Sequence, residues 1–212
     1  MTDRIEVLTH SAIRIQSSLG TIYIDPFQVK EEYHDAAFIL LTHDHYDHFS
    51  PEDIAKINTD ATIMICPENM EKKARKVADL VSEIVTVQPN TTAKVNDLEL
   101  EMIPAYNTVK PFHPKSAGWV GYILTVDGER IYVAGDTGLT PESKEVKCDI
   151  ALVPIGGTFT MSFRRASNLI NIIRPRVAIP THYGNTIGKP EDADNFECLV
   201  DPEIAVEKKI KF

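Results

Sequence analysis

Leu41-Thr42-His43-Asp44-His45-Tyr46-Asp47-His48 sets three histidines and two aspartates within the six positions 43–48, directly after the apolar run 36–41. Imidazole and carboxylate together form the donor set of Zn, Mn or Fe sites. Burying such a cluster is costly unless a cation satisfies its lone pairs and charges. The apolar run reads as a strand covered on both faces. Two-residue alternation at its end would point His43 and His45 the same way, toward one ion. Asp47 and His48 follow where the chain turns, and can offer donors from a second side.

Three later segments repeat the setting. His113 precedes a predicted strand, in His113-Pro114-Lys115-Ser116-Ala117-Gly118-Trp119. Asp136 follows another, in Ala134-Gly135-Asp136-Thr137-Gly138, and His182 a third, in Pro180-Thr181-His182-Tyr183-Gly184. Each stands at a strand end beside Gly or Pro, where binding loops sit. Taken singly, His113 also suits an ordinary loop, Asp136 a turn cap and His182 a hydrogen-bonded core. Taken with His43, His45, Asp47 and His48 they make seven N and O donors, enough for two divalent ions with one bridging carboxylate.

In this order the motifs resemble those of the metallo-β-lactamase-fold hydrolase superfamily over nearly the whole chain. The H-x-H-x-D-H pattern matches at His43, His45, Asp47 and His48, the next histidine at His113, the Gly-Asp-Thr aspartate at Asp136 and the last histidine at His182. His10, Ile24-Asp25-Pro26-Phe27, Pro104-Ala105-Tyr106-Asn107 and Gly156-Gly157-Thr158 look like the small branch related to L-ascorbate-6-phosphate lactonase. The resemblance implies a mixed α/β, four-layer αββα sandwich with its site along one edge. It implies metal 1 on His43, His45 and His113, metal 2 on Asp47, His48 and His182, and Asp136 bridging. Zn is the first choice of metal, with Mn or Fe as alternatives. A hydroxide held between the two ions would be the nucleophile, aimed by Asp47, so Asp47 and Asp136 carry the catalytic roles. His113 competes with its neighbour Asn107 for the metal 1 position, because residues 108–112 look like an extra loop that displaces the histidine or forms a lid.

Four residues stand as supporting candidates: Asp25 to orient a ligand histidine or cap its turn, His10 and Tyr183 either to donate to a substrate oxygen or, as the simpler reading, to be structural residues satisfied locally, and Asn107. Elsewhere, a helix is expected from Ser50, with serine at the N-cap and Pro51 at the first helical position. A second is expected over 68–80, an amphipathic one over 162–173 and a last one over 190–199. Asp127-Gly128 reads as the turn of a hairpin.

The chain has 212 residues, 43% of them hydrophobic and 25% charged, with a net charge of −9. That length suits one domain, 1–212, with a full core. The acidic balance argues against a nucleic-acid partner, which usually meets a basic stripe. Lys72, Lys73, Arg75 and Lys76 form one local basic patch, read as a solvated helix face. Three isolated cysteines with no C-x-x-C fit a reducing cytosol. No apolar run approaches membrane-spanning length. The expectation is a cytoplasmic hydrolase of a small-molecule ester or lactone, free of membrane and nucleic acid, with a homo-oligomer left open. A phosphodiesterase or nuclease of the same fold is the alternative, as is a di-iron redox protein, although the flavin domain that normally accompanies the latter does not fit here.

Overall fold

A computed structural model describes residues 2–212. Its first sheet begins with an antiparallel meander: β1 (Ile5–Thr9), β2 (Ala12–Ser17) and β3 (Gly20–Ile24). Parallel strands β4 (Ala36–Leu40), β5 (Ile63–Pro67) and β6 (Glu83–Val87) complete it in chain order. The second sheet holds β7 (Thr92–Val95), β8 (Leu98–Pro104), β9 (Val120–Val126), β10 (Glu129–Val133), β11 (Ile150–Pro154), β12 (Val177–Thr181) and β13 (Ala205–Val206). It is antiparallel from β7 to β10 and parallel from β10 to β13.

Strand alternation explains the layers. Phe38 and Leu40 of β4, with Ile22, Ile24, Ile63 and Ile65 of its neighbours, join the core shared with the second sheet. The residues between them, Tyr23, Ile39, Met64 and Cys66, face outward into a separate core. That outer core is closed by helix α1 (Pro51–Ile57), through Ile54 and Ile57, and by Met70, Ala74 and Val77. The apolar run after residue 36 is therefore a strand covered on both faces, as its composition predicts. On the second sheet, helix α4 (Phe163–Ile173) lays Ala166, Leu169, Ile170 and Ile173 inward and packs on β11. The result is a mixed α/β fold of two sheets with helices outside.

Local signals explain the helix ends. Ser50 accepts from the Asp53 N–H at the N-cap, with Pro51 next. Thr140 and Ser143 form a reciprocal capping box on α3 (Pro141–Lys144). The segment 68–80 is not one helix. It divides into 3-10 turns at Glu68–Met70 and Arg75–Leu80 around a single α-turn, α2 (Glu71–Ala74), and buried Val77 sits outside helical geometry at φ −116°. Its basic residues are held locally: Arg75 pairs with Glu71, and Lys73 donates to the Asp44 carbonyl. The last helix is shorter than expected, α5 (Asp192–Glu197). Among the described residues no helix is long and apolar enough to cross a membrane.

Candidate metal centre

The two sheets meet along one edge where Tyr122 Oη of β9 donates to the Leu41 carbonyl (2.7 Å) and Val120 N donates to the Thr42 carbonyl (3.2 Å). Strand ends converge there. His10 lies between β1 and β2, Asp25 follows β3, and residues 42–48 follow β4. His113 lies between β8 and β9, Asp136 follows β10, and His182 follows β12. His10, Asp25, His113 and His182 all have φ between 48 and 58°. Left-handed backbone is uncommon for residues with a side chain and gathers at functional sites. Two glycines let the chain close in. Gly135 precedes Asp136 at φ 62°, and a Cβ on Gly156 would stand 2.3 Å from the His182 carbonyl.

The donors group as three trios: His43, His45 and His113; His43, His48 and Asp136; and His10, Asp47 and His182, each trio with ligand atoms within 4.8 Å of one another. Asp136 is central. Its carboxylate stands 3.3 Å from His48 Nε2, 3.3 Å from His113 Nε2 and 3.2 Å from His182 Nε2. All seven donors singled out in the sequence are thus brought together. His43 and His45 meet off the expected strand: β4 ends at Leu40, so both lie in the loop beyond it, where strand alternation does not set their directions. Their facing atoms, His43 Nε2 and His45 Nδ1, are 3.1 Å apart.

Hydrogen bonding sets which ring atoms are free. Asp25 accepts from Thr42 N (2.8 Å) and Thr42 Oγ1 (2.6 Å) and stands 2.7 Å from His48 Nδ1. With its proton given to Asp25, Thr42 Oγ1 is an acceptor for His43 Nδ1 at 3.0 Å. With an ion bound, both histidines would hold their protons on Nδ1 and turn Nε2 toward it, as metal-ligating imidazoles do. Buried His48 Nε2, His113 Nε2, His182 Nε2 and Asp136 Oδ1 have no hydrogen-bond partner. Orphaned buried donors and acceptors are rare. Four aimed into one cluster fit a cation.

Charge follows the same geometry. Burial works to lower the His48 pKa, but the Asp136 and Asp25 carboxylates outweigh it and hold His48 well above its ordinary value. His182 is likewise pushed up, against burial, by the Asp136 charge, to about 9. Burial works to raise Asp136, yet the charges of His182 and His48 keep it well below the carboxylate range. Asp47 is held down too, against burial, by its contact with His10 and by the neighbouring His182 and His48 imidazoles. His43 is driven well down by burial and by the neighbouring His48 charge, which leaves it a neutral donor. A cluster that draws protons onto its own histidines is one that attracts cations.

The supporting candidates divide. Asp25 is placed to orient His48, and also accepts from the Thr42 N–H. His10 goes beyond a supporting place: its Nε2 lies 3.2 Å from Asp47 Oδ2, its ring packs 3.8 Å from that of His182, and its carbonyl accepts from His182 N. It forms a trio with Asp47 and His182, while His48 Nε2 also stands 3.8 Å from Asp47 Oδ2. Asn107 is a tether: its Nδ2 donates to the carbonyls of Phe159 (2.6 Å) and Phe112 (2.9 Å), so the donor facing Asp136 is His113. Tyr183 takes the structural place: it is buried in the main core, with its ring 5.6 Å from that of Phe212. Thr42 was not singled out in the sequence, though its place directly before His43 in the motif is a usable signal.

Residues 4–182 match the family described as "Beta-lactamase superfamily domain". The chain belongs to this superfamily. A UPF0173 protein of Pyrococcus abyssi is 34% identical over 183 residues, 82% of this chain and 80% of its relative. A UPF0173 metal-dependent hydrolase of Methanosphaera stadtmanae is 32% identical over 217 residues, covering 95% of this chain and 92% of the relative. A crystal structure assigned as a metal-dependent hydrolase from Parabacteroides distasonis superposes with a TM-score of 0.83 at 30% identity, covering 97% and 91% of the two chains. The two sheets with outer helices are accordingly the metallo-β-lactamase fold, and the superfamily match runs through every donor of the centre, ending on His182.

Proposed function

We propose that this chain is a metal-dependent hydrolase with two divalent ions, acting on an ester or lactone bond of a small molecule. The observation that carries the reading is the set of four buried, unpartnered atoms on His48, His113, His182 and Asp136, aimed into one cluster. His43, His45 and His113 would hold one ion, Asp47 and His182 with His48 or His10 the other, and Asp136 both. Bound there, the ions would supply Lewis acidity and an activated water at neutral pH.

The chain's own residues do the rest. Asp25 keeps the His48 proton on Nδ1, and Thr42 keeps that of His43 on Nδ1. His10 fixes the rotamer of Asp47 by holding Oδ2. Trp119 packs its ring 4.8 Å from that of His45 and 4.9 Å from that of His43 and so braces both donors on this side. The net charge of −9 favours a small substrate over a polyanion. The homologues' description as metal-dependent hydrolases supports the same class.

The test is to reconstitute the protein with Zn or Mn, count the bound ions and screen lactones, thioesters and phosphodiesters. Two ions with ester or lactone turnover support the reading. Saturation at one ion would remove the dinuclear site, and a coloured iron protein without hydrolysis would favour redox chemistry.

A further inference from the structure

Directly over the His/Asp cluster is a cavity of about 240 Å³ with the ligand-bearing residues as its floor. Its walls are Tyr46, Phe112, Phe159, Thr186 and Ile187. Phe112 and Phe159 meet edge to face, with ring centroids 4.8 Å apart at 85°. The segment that carries Phe112 is pinned down. Lys110 Nζ donates to the Gly157 and Thr160 carbonyls, and Asn107 ties Phe112 O and Phe159 O together. Tyr46 and Phe112 are nonetheless 67% and 47% exposed, so apolar rings rim the mouth. Apolar walls around a few converging polar groups are the ordinary form of a small-molecule site.

No residue lining this cavity is a lysine or arginine. Three lysines of the neighbouring segments are engaged elsewhere: Lys110 by those two carbonyls, Lys73 by Asp44, and Lys115 by Glu142 at 2.6 Å. A reacting carbonyl has the cluster beneath it. A second anionic group elsewhere on the same substrate would be desolvated with no counter-charge, which is costly. Size gives a second constraint. A cavity of ~150 Å³ holds a benzene, so this one has room for a single ring with a short acyl portion.

Resting on the hydrolase reading above, we infer that the substrate is a small, uncharged, apolar ester or lactone, of the size of an aryl-substituted five-membered lactone, and not a phosphorylated one. Its ring sits between Phe112, Phe159 and Ile187 with the acyl carbon over the cluster. Ring opening consumes one water. A C–O bond forms at the acyl carbon, the endocyclic acyl C–O bond breaks, and the departing oxygen takes up a proton to give a hydroxy acid.

The test uses the zinc-loaded protein with γ-phenyl-γ-butyrolactone and the same lactone bearing a phosphate on its phenyl ring. Binding of the unreactive cyclic ether 2-phenyltetrahydrofuran is measured separately by calorimetry. The expected result is a kcat/KM at least about 10-fold higher for the phenyl lactone, the scale on which apolar pockets discriminate. Phe159→Ala should remove most of that preference and most of the ether binding. Phe159→Leu should keep part of both, and Ile187→Lys should move the preference toward the phosphorylated lactone. Equal or better turnover of the phosphorylated lactone, or failure of the ether to bind, overturns the inference. If the ether binds in a Phe159-dependent way but no lactone is opened, the assignment of the cavity stands and the hydrolase reading falls.

Discussion

Asp25 Oδ2 lies 2.7 Å from His48 Nδ1, and both side chains are buried. This contact decides which nitrogen of His48 is free, so Asp25 acts on the centre without facing it. Asp25→Asn keeps the size but turns an acceptor into an amide that can donate to Nδ1. The His48 proton would then move to Nε2, the atom offered to the site. Metal affinity should fall by about 10- to 100-fold, the usual effect of losing a group that orients a ligand. Competition with a chromophoric chelator measures it, and wild-type affinity in the variant would remove the orienting role.

His113 and Asn107 lie six residues apart and have separable roles. His113→Ala removes a nitrogen facing Asp136 at 3.3 Å, and should weaken one ion by about 10-fold or more while the other survives on Asp47 and His182. Asn107→Ala removes donors to the Phe112 and Phe159 carbonyls. It should leave metal content unchanged and loosen residues 108–113, seen as faster amide exchange. Metal counts on the two variants decide the matter; the reverse pattern would mean that Asn107 belongs to the centre.

Asp53 connects pH to the same edge. It accepts from Gln28 N (2.8 Å), Val29 N (2.9 Å) and Lys56 Nζ (2.8 Å), and so fixes the turn that sets Phe27 against His10 and Tyr46. Burial works to raise its pKa, but the hydrogen bonds from Lys56, Ser50 and the Gln28 N–H together hold it below the ordinary value. A depressed carboxyl contributes stability that is present above its unfolded pKa of ~3.9 and is lost as pH falls through the folded value. Asp53→Asn should therefore cost about 2 kcal/mol at pH 7. That gap should hold down to about pH 4 and narrow below it. Urea unfolding at pH 7, 5 and 3.5 measures the gap, and one that does not change with pH would mean the carboxyl is not ionically engaged.

Much of this was readable in the chain, for physical reasons. The run before His43 announced a strand with two buried faces because every residue in it is apolar. Most donors announced themselves because they follow such strands, and His113 because it stands beside Pro114 ahead of one. What could not be read is what depends on chain crossing. His10 could be singled out in the sequence but not joined to Asp47 and His182, because only the β1–β2 turn and the end of β12 bring it there. Tyr183 sits beside a donor in sequence, yet the chain turns it into the core. The break in 68–80 falls at Val77, buried outside helical geometry, and a helical pattern of polar and apolar residues does not reveal it.

His10 offers the sharpest remaining test of the centre. Its Nε2 faces Asp47 Oδ2 at 3.2 Å, and its ring packs on His182, so it touches two donors of one trio. Two roles predict different losses. A residue that only positions Asp47 should, when removed, weaken one ion by about 10- to 100-fold yet leave two ions bound at saturating metal. A direct ligand should leave only one ion bound. The close contact with Asp47, which is itself a donor, favours positioning, so the first outcome is expected for His10→Ala. The backbone needs its own control, because His10 has φ 48° and alanine is strained there. His10→Asn tolerates that conformation and removes the imidazole. It should therefore match the alanine variant in metal affinity while unfolding at a higher temperature. If His10→Asn instead restores wild-type affinity, the loss in His10→Ala came from the strained turn that joins His10 to His182 through its carbonyl, and the imidazole has no part in holding Asp47.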